Sequence, residues 1–379
     1  MRLLFIDFTL PYLLRDSEFP VGGWAVQLRQ WLLGLTALGH QSGVITWKGA
    51  NAFTGPQSVC ELLESHDPKA GIRILKYGYS HIPSMYGAAR AWRPDVIIQS
   101  TRAIETGIAA FIARRLGVPF VFRVASDADV DARSRIGMPG YARLAYAYGL
   151  RNADLIICQN SYQSEQVRRS HPSARLHVQP NIFQLPPDGS EPRPRATRNY
   201  VAWLGVFRKP KNVPLLFEVA KASPDIPFHV AGMPAADMDA ETASGLESLR
   251  GLPNVRFVGY LNRADVAEFL SGAIALLCTS HYEGFSNTFL EAFAAGTPVI
   301  TRQGVDPDSI IANNGLGRVA EIDDRLPGCI REIHDMVPAD YEALARKCRD
   351  YVAQHHAPEA IMRSFVEAVR PLTRAAGSA

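Results

Sequence analysis

With 379 residues, 47% of them apolar and 20% charged, the chain is too long for one ordinary core and too apolar for a disordered protein, so two domains of about 150–200 residues are expected. The net charge of +3 gives no reason to expect a nucleic-acid partner, but residues 1–185 carry 20 Lys and Arg against 13 Asp and Glu, and residues 186–379 carry 20 against 24. A basic first half suits an acidic acceptor or a peripheral contact with an anionic membrane, while no apolar run reaches the roughly 18–20 residues that cross a bilayer.

Leu3-Leu4-Phe5-Ile6 reads as a buried strand, stopped by Asp7 and too short for a signal peptide. Gly22-Gly23 opens an amphipathic helix from Trp24 to Leu38, ended by Gly39-His40. Val44 to Thr46, Pro94 to Ile98, Phe120 to Val124 and Asp154 to Cys158 are further short apolar strands, with a helix from Thr106 to Leu116 among them. Apolar strands alternating with helices imply a parallel sheet covered on both faces. Residues 185–198, LPPDGSEPRPRATR, hold four prolines and little to bury, and read as the linker.

The pattern then restarts. Strands Tyr200 to Leu204, Phe228 to Ala231 and Val255 to Val258 each end in a glycine, and a helix runs from about Val213 to Ala222. Ile274 to Cys278 leads into a loop and helix, and Thr297 to Ile300 reads as a last strand. Two helices, Asp340 to His355 and Glu359 to Ala375, close the chain. The fold class is α/β with two Rossmann-like domains, 1–188 and 189–356, and a terminal segment 357–379.

The five cysteines are scattered without a C-x-x-C pair, which fits reduced thiols in a cytoplasmic protein. No His, Cys or carboxylate cluster has metal-ligand spacing, so neither metal nor cofactor is expected.

The segment from Ser280 to Pro298 carries the chemistry. A strand is followed by a loop holding Glu283, then by a helix starting near Ser286 to Thr288, with Glu291 expected in its first turn. Ligands of open parallel sheets sit where strands end and helices begin, and free N–H groups there hold phosphate. Thr288-Phe289-Leu290-Glu291 also has the form of a capping box, a purely structural role for Glu291.

Glu283 and Glu291, with Gly284-Phe285-Ser286 between them and Ala-Gly-Thr-Pro-Val-Ile after, resemble the E-x7-E motif of retaining glycosyltransferases of family 4. Gly22-Gly23, Pro94-Asp95, Ala153-Asp154, Gln179-Pro180-Asn181 and Trp203-Leu204-Gly205 through Lys211-Asn212 match further landmarks of that family, over nearly the whole chain. The resemblance implies the GT-B architecture: an acceptor domain and a nucleotide-sugar domain facing a cleft, with the terminal helix crossing back to the first. It implies that Glu291 accepts hydrogen bonds from ribose, that Glu283 contacts the donor sugar, and that Phe285, Ser286, Asn287 and Thr288 offer backbone donors. Lys211 would stabilise the departing diphosphate, a task that other folds give to a metal ion. Gly232, Met233 and Tyr260 lie where the family places the base, and Gly23 belongs to its glycine-rich loop.

Two positions depart from the pattern. Val206 stands where the family has Arg, and Arg208 is the candidate replacement. No His follows the strand Phe120 to Val124, and Asp127 is the candidate polar group there, with a turn or cap aspartate as its structural alternative. The expected function is retaining transfer from a UDP- or GDP-sugar to a saccharide or lipid-linked acceptor, in the cytoplasm or peripherally at the inner membrane face. A nucleotide-sugar epimerase and an inactive sugar-nucleotide-binding subunit are the alternatives.

Overall fold

The computed structural model of the chain describes residues 1–14, 22–53, 59–72, 74–135, 137–186 and 191–376. The chain divides into two compact units, Met1–Gln184 with Pro358–Ala379, and Leu185–Ala357.

The first unit is a seven-stranded sheet. Its strands are β1 (Arg2–Ile6), β2 (Gln41–Thr46), β3 (Glu61–Glu64), β4 (Val96–Ser100), β5 (Phe120–Arg123), β6 (Leu155–Cys158) and β7 (Leu176–Val178), in the order β3-β2-β1-β4-β5-β6-β7. Every pairing is parallel. Side chains alternate across β1, so each face of the sheet receives its own core. Leu3 and Phe5 pack with Leu28, Trp31 and Leu35 of helix Gly23–Ala37. Leu4 and Ile6 pack with Met85, Ala89, Ile108 and Ile112 of helices Ile82–Trp92 and Ile104–Leu116. The C-terminal helix Pro358–Ala376 buries Met362, Phe365 and Val369 in the first of these cores, with the Phe365 ring 4.9 Å from Trp31.

The second unit repeats the design with β8 (Tyr200–Leu204), β9 (Phe228–Ala231), β10 (Val255–Gly259), β11 (Ala273–Leu277), β12 (Val299–Arg302) and β13 (Gly317–Ala320). Their order is β10-β9-β8-β11-β12-β13, again all parallel. Strand order reverses at β1/β4 in one sheet and at β8/β11 in the other. Crevices for ligands open at the carboxyl ends of strands at such points.

Two expectations need correction. Thr297 to Ile300 does not give the last strand, because β13 follows it at the sheet edge. Nor is the proline-rich stretch a linker throughout. Its residues 187–190 lie outside the described residues, but Arg198 is fully buried in the second unit. Its guanidinium donates to Ala273 O, Ala295 O and Thr297 Oγ1 at 2.7–2.9 Å and lies over the Tyr341 ring. The planar five-donor fork allows this, since each buried N–H finds an oxygen. Among the described residues no helix is long and apolar enough to cross a membrane, and none of the five cysteines forms a disulfide.

Candidate functional site

The site of the second unit is built at its switch point. After β8 the chain turns through Lys209–Lys211 and enters helix Val213–Lys221. Asn212 makes the corner in the left-handed region (φ 51°), and its Oδ1 caps the helix by accepting from Leu215 N–H at 3.3 Å. After β11 the chain runs through Thr279 to Phe285 before helix Asn287–Ala294. Three hydrogen bonds lock these loops together. Trp203 Nε1 donates to Thr279 Oγ1 (3.0 Å), Thr279 Oγ1 donates to Lys211 O (2.8 Å), and His281 N–H donates to Pro210 O (2.9 Å).

This bracing brings Lys211 and Glu283 together. Lys211 Nζ donates to Glu283 Oε1 at 2.6 Å, and Ser280 Oγ donates to the same oxygen at 2.8 Å. Burial by itself would lower the Lys211 pKa, but the charge and hydrogen bond of Glu283 outweigh it and hold the ammonium above its ordinary value. Arg208, which begins the turn, is exposed, and its charge reaches Lys211. Val206 is half-buried beside Gly205.

Helix Asn287–Ala294 begins at Ser286, whose side chain makes no cap bond to the backbone and instead pairs with Thr288 Oγ1 at 2.8 Å. The capping box is therefore not formed, and Glu291 lies past the first turn. The reason is that the chain turns helical at Asn287, too early for Thr288 to act as the cap. The Glu291 carboxylate makes no hydrogen bond among the described residues. Burial pushes its pKa up to about 7, against the opposing charges of Arg263 and Lys211. Phe285 and Ser286 are buried, with the Phe285 ring 5.3 Å from His356.

The neighbouring strand ends complete the region. A Cβ on Gly232 (φ +153°) would fall 1.9 Å from Gly205 O, so only glycine fits where β8 and β9 approach each other here. Gly232 N–H donates to Gly259 O at 2.8 Å, and Phe207 N–H to Met233 O at 2.9 Å. Tyr260, just past β10, is exposed. Lys211, Glu283, Ser286, Thr288 and Glu291 thus surround one switch point, with Gly232, Met233 and Tyr260 on the adjoining strand ends. The sequence alone assigns no role to Ser280, Thr279 or Arg263. Their signal was a pair of hydroxyls directly before the E-x7-E loop and a cation opening the helix after β10.

Asp127 and Gly23 belong to the first unit. Gly23 opens helix Gly23–Ala37, with Gly22 as its cap. Asp127 follows β5 and is buried, which raises its pKa. Its Oδ1 accepts from Gln163 Nε2 at 2.9 Å and Asn160 Nδ2 at 3.4 Å. The cap of this turn is made by its neighbours. Ser126 Oγ accepts from Ala128 N–H, and Asp129 Oδ2 accepts from Ala125 and Ser126 N–H at 2.9 and 3.0 Å. Asp127 is thereby relieved of a backbone role. At the end of β5, the buried Arg123 lies over Trp24 and donates to Asn181 Oδ1 at 2.5 Å.

Residues 22–182 match the family model described as Glycosyl transferase 4-like domain, and residues 190–326 match Glycosyl transferases group 1. A GDP-mannose-dependent alpha-mannosyltransferase of Mycolicibacterium smegmatis is 26% identical over 252 residues, 64% of each chain, so the match spans just under two thirds of that relative's length. A glycogen synthase of Mycobacterium tuberculosis is 25% identical over 392 residues, 92% of this chain and 89% of its own. Among solved structures, sucrose-phosphate synthase from Thermosynechococcus elongatus superposes with a TM-score of 0.73 at 20% identity, covering 99% of this chain and 100% of that one. Anabaena HepE in complex with UDP and glucose superposes with a TM-score of 0.75 at 16% identity, covering 98% and 100%. With two glycosyltransferase models matched in succession and a GT-B fold along its length, the chain belongs to the family-4-type glycosyltransferases.

Proposed function

We propose that the protein transfers a sugar from a nucleoside-diphosphate sugar to a hydroxyl of a saccharide or lipid-linked acceptor, with retention at the anomeric carbon and without a divalent metal ion. The observation that carries this reading is the Lys211–Glu283 pair at the β8/β11 switch point, beside the start of helix Asn287–Ala294 and the unpartnered Glu291 carboxylate.

In this reading the diphosphate sits against Lys211, Arg208 and the N–H groups of Phe285 to Thr288. Glu291 accepts from the ribose hydroxyls, and the base lies near Gly232, Met233 and Tyr260. Glu283, held at one oxygen by Lys211 and Ser280, turns its other oxygen to the donor sugar's hydroxyls. The bond from the anomeric carbon to the diphosphate oxygen breaks as positive charge builds on the sugar. The acceptor oxygen then bonds to the same face and gives its proton to the departing diphosphate. Lys211 contributes most when that oxygen gains charge. Asp127 serves the acceptor side.

The relatives named for GDP-mannose and the neighbour holding UDP leave two bases to compare. A thermal-shift series with UDP, GDP and their sugars is the experiment. The right nucleotide at about one hundred times its Kd should stabilise the protein by about 2.7 kcal/mol. No shift with any of them would sink the reading. Product analysis separates the alternatives. A changed nucleotide sugar without acceptor means an epimerase, binding without turnover means an inactive subunit, and an inverted anomer removes retention.

A further inference from the structure

Asp127 follows β5, and its side-chain partners come from the start of helix Ser161–Ser170, which follows the neighbouring strand β6. Asn160 caps this helix, its Oδ1 accepting from Gln163 N–H at 2.8 Å. Gln163 stands at the third helical position, where the Gln or Glu of a capping box reaches back to the N–H of the cap. Here its Oε1 accepts instead from Gln159 N–H, one residue before the cap, at 2.8 Å. A backbone N–H can only donate, so each amide has its oxygen held by the helix start and its NH2 group left for another partner. The two NH2 groups meet at one atom. Gln163 Nε2 lies 2.9 Å from Asp127 Oδ1, and Asn160 Nδ2 lies 3.4 Å from it. Asp127 Oδ2 makes no hydrogen bond among the described residues.

Capping accounts for only half of this arrangement. The N–H of Gln159 needs an acceptor, which a glutamate at position 163 would supply as well, and a helix N-terminus favours the acid. The amide differs from the acid in its NH2 group, and that group goes to Asp127. The surroundings give it no alternative in water. Gln163 is 0% exposed and Gln159 4%, and Gln159 Nε2 is itself held by Asn181 Oδ1 at 3.3 Å. Buried amides cost free energy unless hydrogen-bonded, so each of these groups fixes its neighbour. Burial favours the neutral form of Asp127, and the bonds from Gln163 and Asn160 oppose it. Of the other charges here, Arg133 and Asp131 pair with each other and act on Asp127 in opposite directions. Asp129 is taken up by the N–H groups of Ala125 and Ser126.

We propose that Gln163, with Asn160 beside it, is the positioning residue of the acceptor side: it holds Asp127 by Oδ1 as a carboxylate and leaves Oδ2 to accept from a hydroxyl of the acceptor next to the one that reacts. The proton of the reacting hydroxyl still goes to the departing diphosphate, so Asp127 orients the acceptor and Gln163 acts through Asp127. The proposal rests on the assignment of Asp127 to the acceptor side.

With the nucleotide sugar chosen by the thermal-shift series, rates are measured for donor hydrolysis and for transfer to methyl hexosides as acceptor probes. Gln163→Met keeps the length of the side chain and removes both amide groups. It should lower kcat/KM for the acceptor about tenfold or more and leave hydrolysis near wild type. The acid limb of the transfer profile should move to higher pH, because Asp127 without its donor takes up a proton more readily. Asn160→Ser keeps a helix cap and removes the second donor. It should move the same limb in the same direction by less, and it carries the test where Gln163→Met does not fold. In the Asp127→Asn background neither substitution should lower transfer further. A readout without acceptor is the carboxyl carbon-13 signal that Asp127→Asn abolishes, which should titrate at higher pH in both variants. Reduced transfer with an unmoved acid limb, an unshifted carboxyl titration, or the same loss in the Asp127→Asn background would make Gln163 a capping residue only and overturn the proposal. So would wild-type transfer in Gln163→Met where Asp127→Asn is impaired. Wild-type transfer in Asp127→Asn would instead remove the assignment of Asp127, and the proposal with it.

Discussion

Lys211 and Glu283 stand 72 positions apart in the chain, and their charged atoms lie 2.6 Å apart. Both side chains are largely buried, and against that burial the charge of Glu283 holds the Lys211 ammonium above its ordinary pKa.

That dependence predicts a pH effect. Without the charge and hydrogen bond of Glu283, burial loses its main opposition and lowers the Lys211 pKa. In Glu283→Gln the ammonium should lose its proton at a lower pH than in wild type. The alkaline limb of the pH–rate profile should therefore move to lower pH. An unmoved limb alongside reduced activity would show that Lys211 does not titrate with the reaction.

Glu291 yields a stability prediction with a definite sign. Its pKa is raised to about 7 in the folded protein from an ordinary 4.5. The carboxyl is neutral and harmless below about pH 4.5, and it destabilises the fold progressively as pH rises through 7. Glu291→Gln should melt like wild type near pH 4.5 and above it at pH 8, by up to about 3 kcal/mol of stability. Equal melting at both pH values would contradict the burial. Glu291→Ala should weaken donor binding by about 1.5–3 kcal/mol, the worth of a charged hydrogen-bond acceptor. No capping loss should accompany it, because Glu291 takes no part in a capping box.

Asp127 is expected to act on transfer rather than on donor binding. Asp127→Asn preserves the contacts to Gln163 and Asn160 at Oδ1 while removing the charge. Nucleotide thermal shift should be unchanged, and transfer should fall relative to donor hydrolysis. An equal fall in both would make Asp127 a structural residue.

How far these residues were readable in advance follows from their surroundings. The central strands β1, β4, β5 and β6 announce themselves as continuous apolar runs because both faces are covered. The edge strands β3 and β13 were unseen, because Glu61, Glu64 and Arg318 interrupt them with charge where one side is open. Glu283 and Glu291 were visible through their spacing. Ser280 and Arg263 were not, because a hydroxyl or a cation acquires its role only from the atoms facing it in space. Arg198 misled for the same reason, since its carbonyl partners come from Ala273 and Ala295.

Turnover should continue with excess chelator present. The cation offered to the diphosphate in this reading is Lys211, and no group of three or more His, Cys, Asp or Glu suited to a metal ion occurs among the described residues. Loss of activity restored by manganese or magnesium would refute the metal-free reading.

Arg208 tests the main departure from the family pattern. Its side chain is exposed and near Lys211, so it is available to a phosphate. Arg208→Ala should lower turnover about tenfold or more, given hydrogen bonds to a charged group of about 1.5–3 kcal/mol. Wild-type kinetics in this variant would mean that the position of Val206 is a true vacancy.

Whether the leaving diphosphate forms at Lys211 is decided by steady-state kinetics of Lys211→Ala measured beside its donor affinity. Removing one preorganised charge of this kind costs roughly a hundred- to a thousand-fold in rate. That loss is expected in kcat, with a much smaller change in donor Kd, because the interaction strengthens as the bond breaks. Unchanged turnover, or a loss confined to donor affinity, would contradict it.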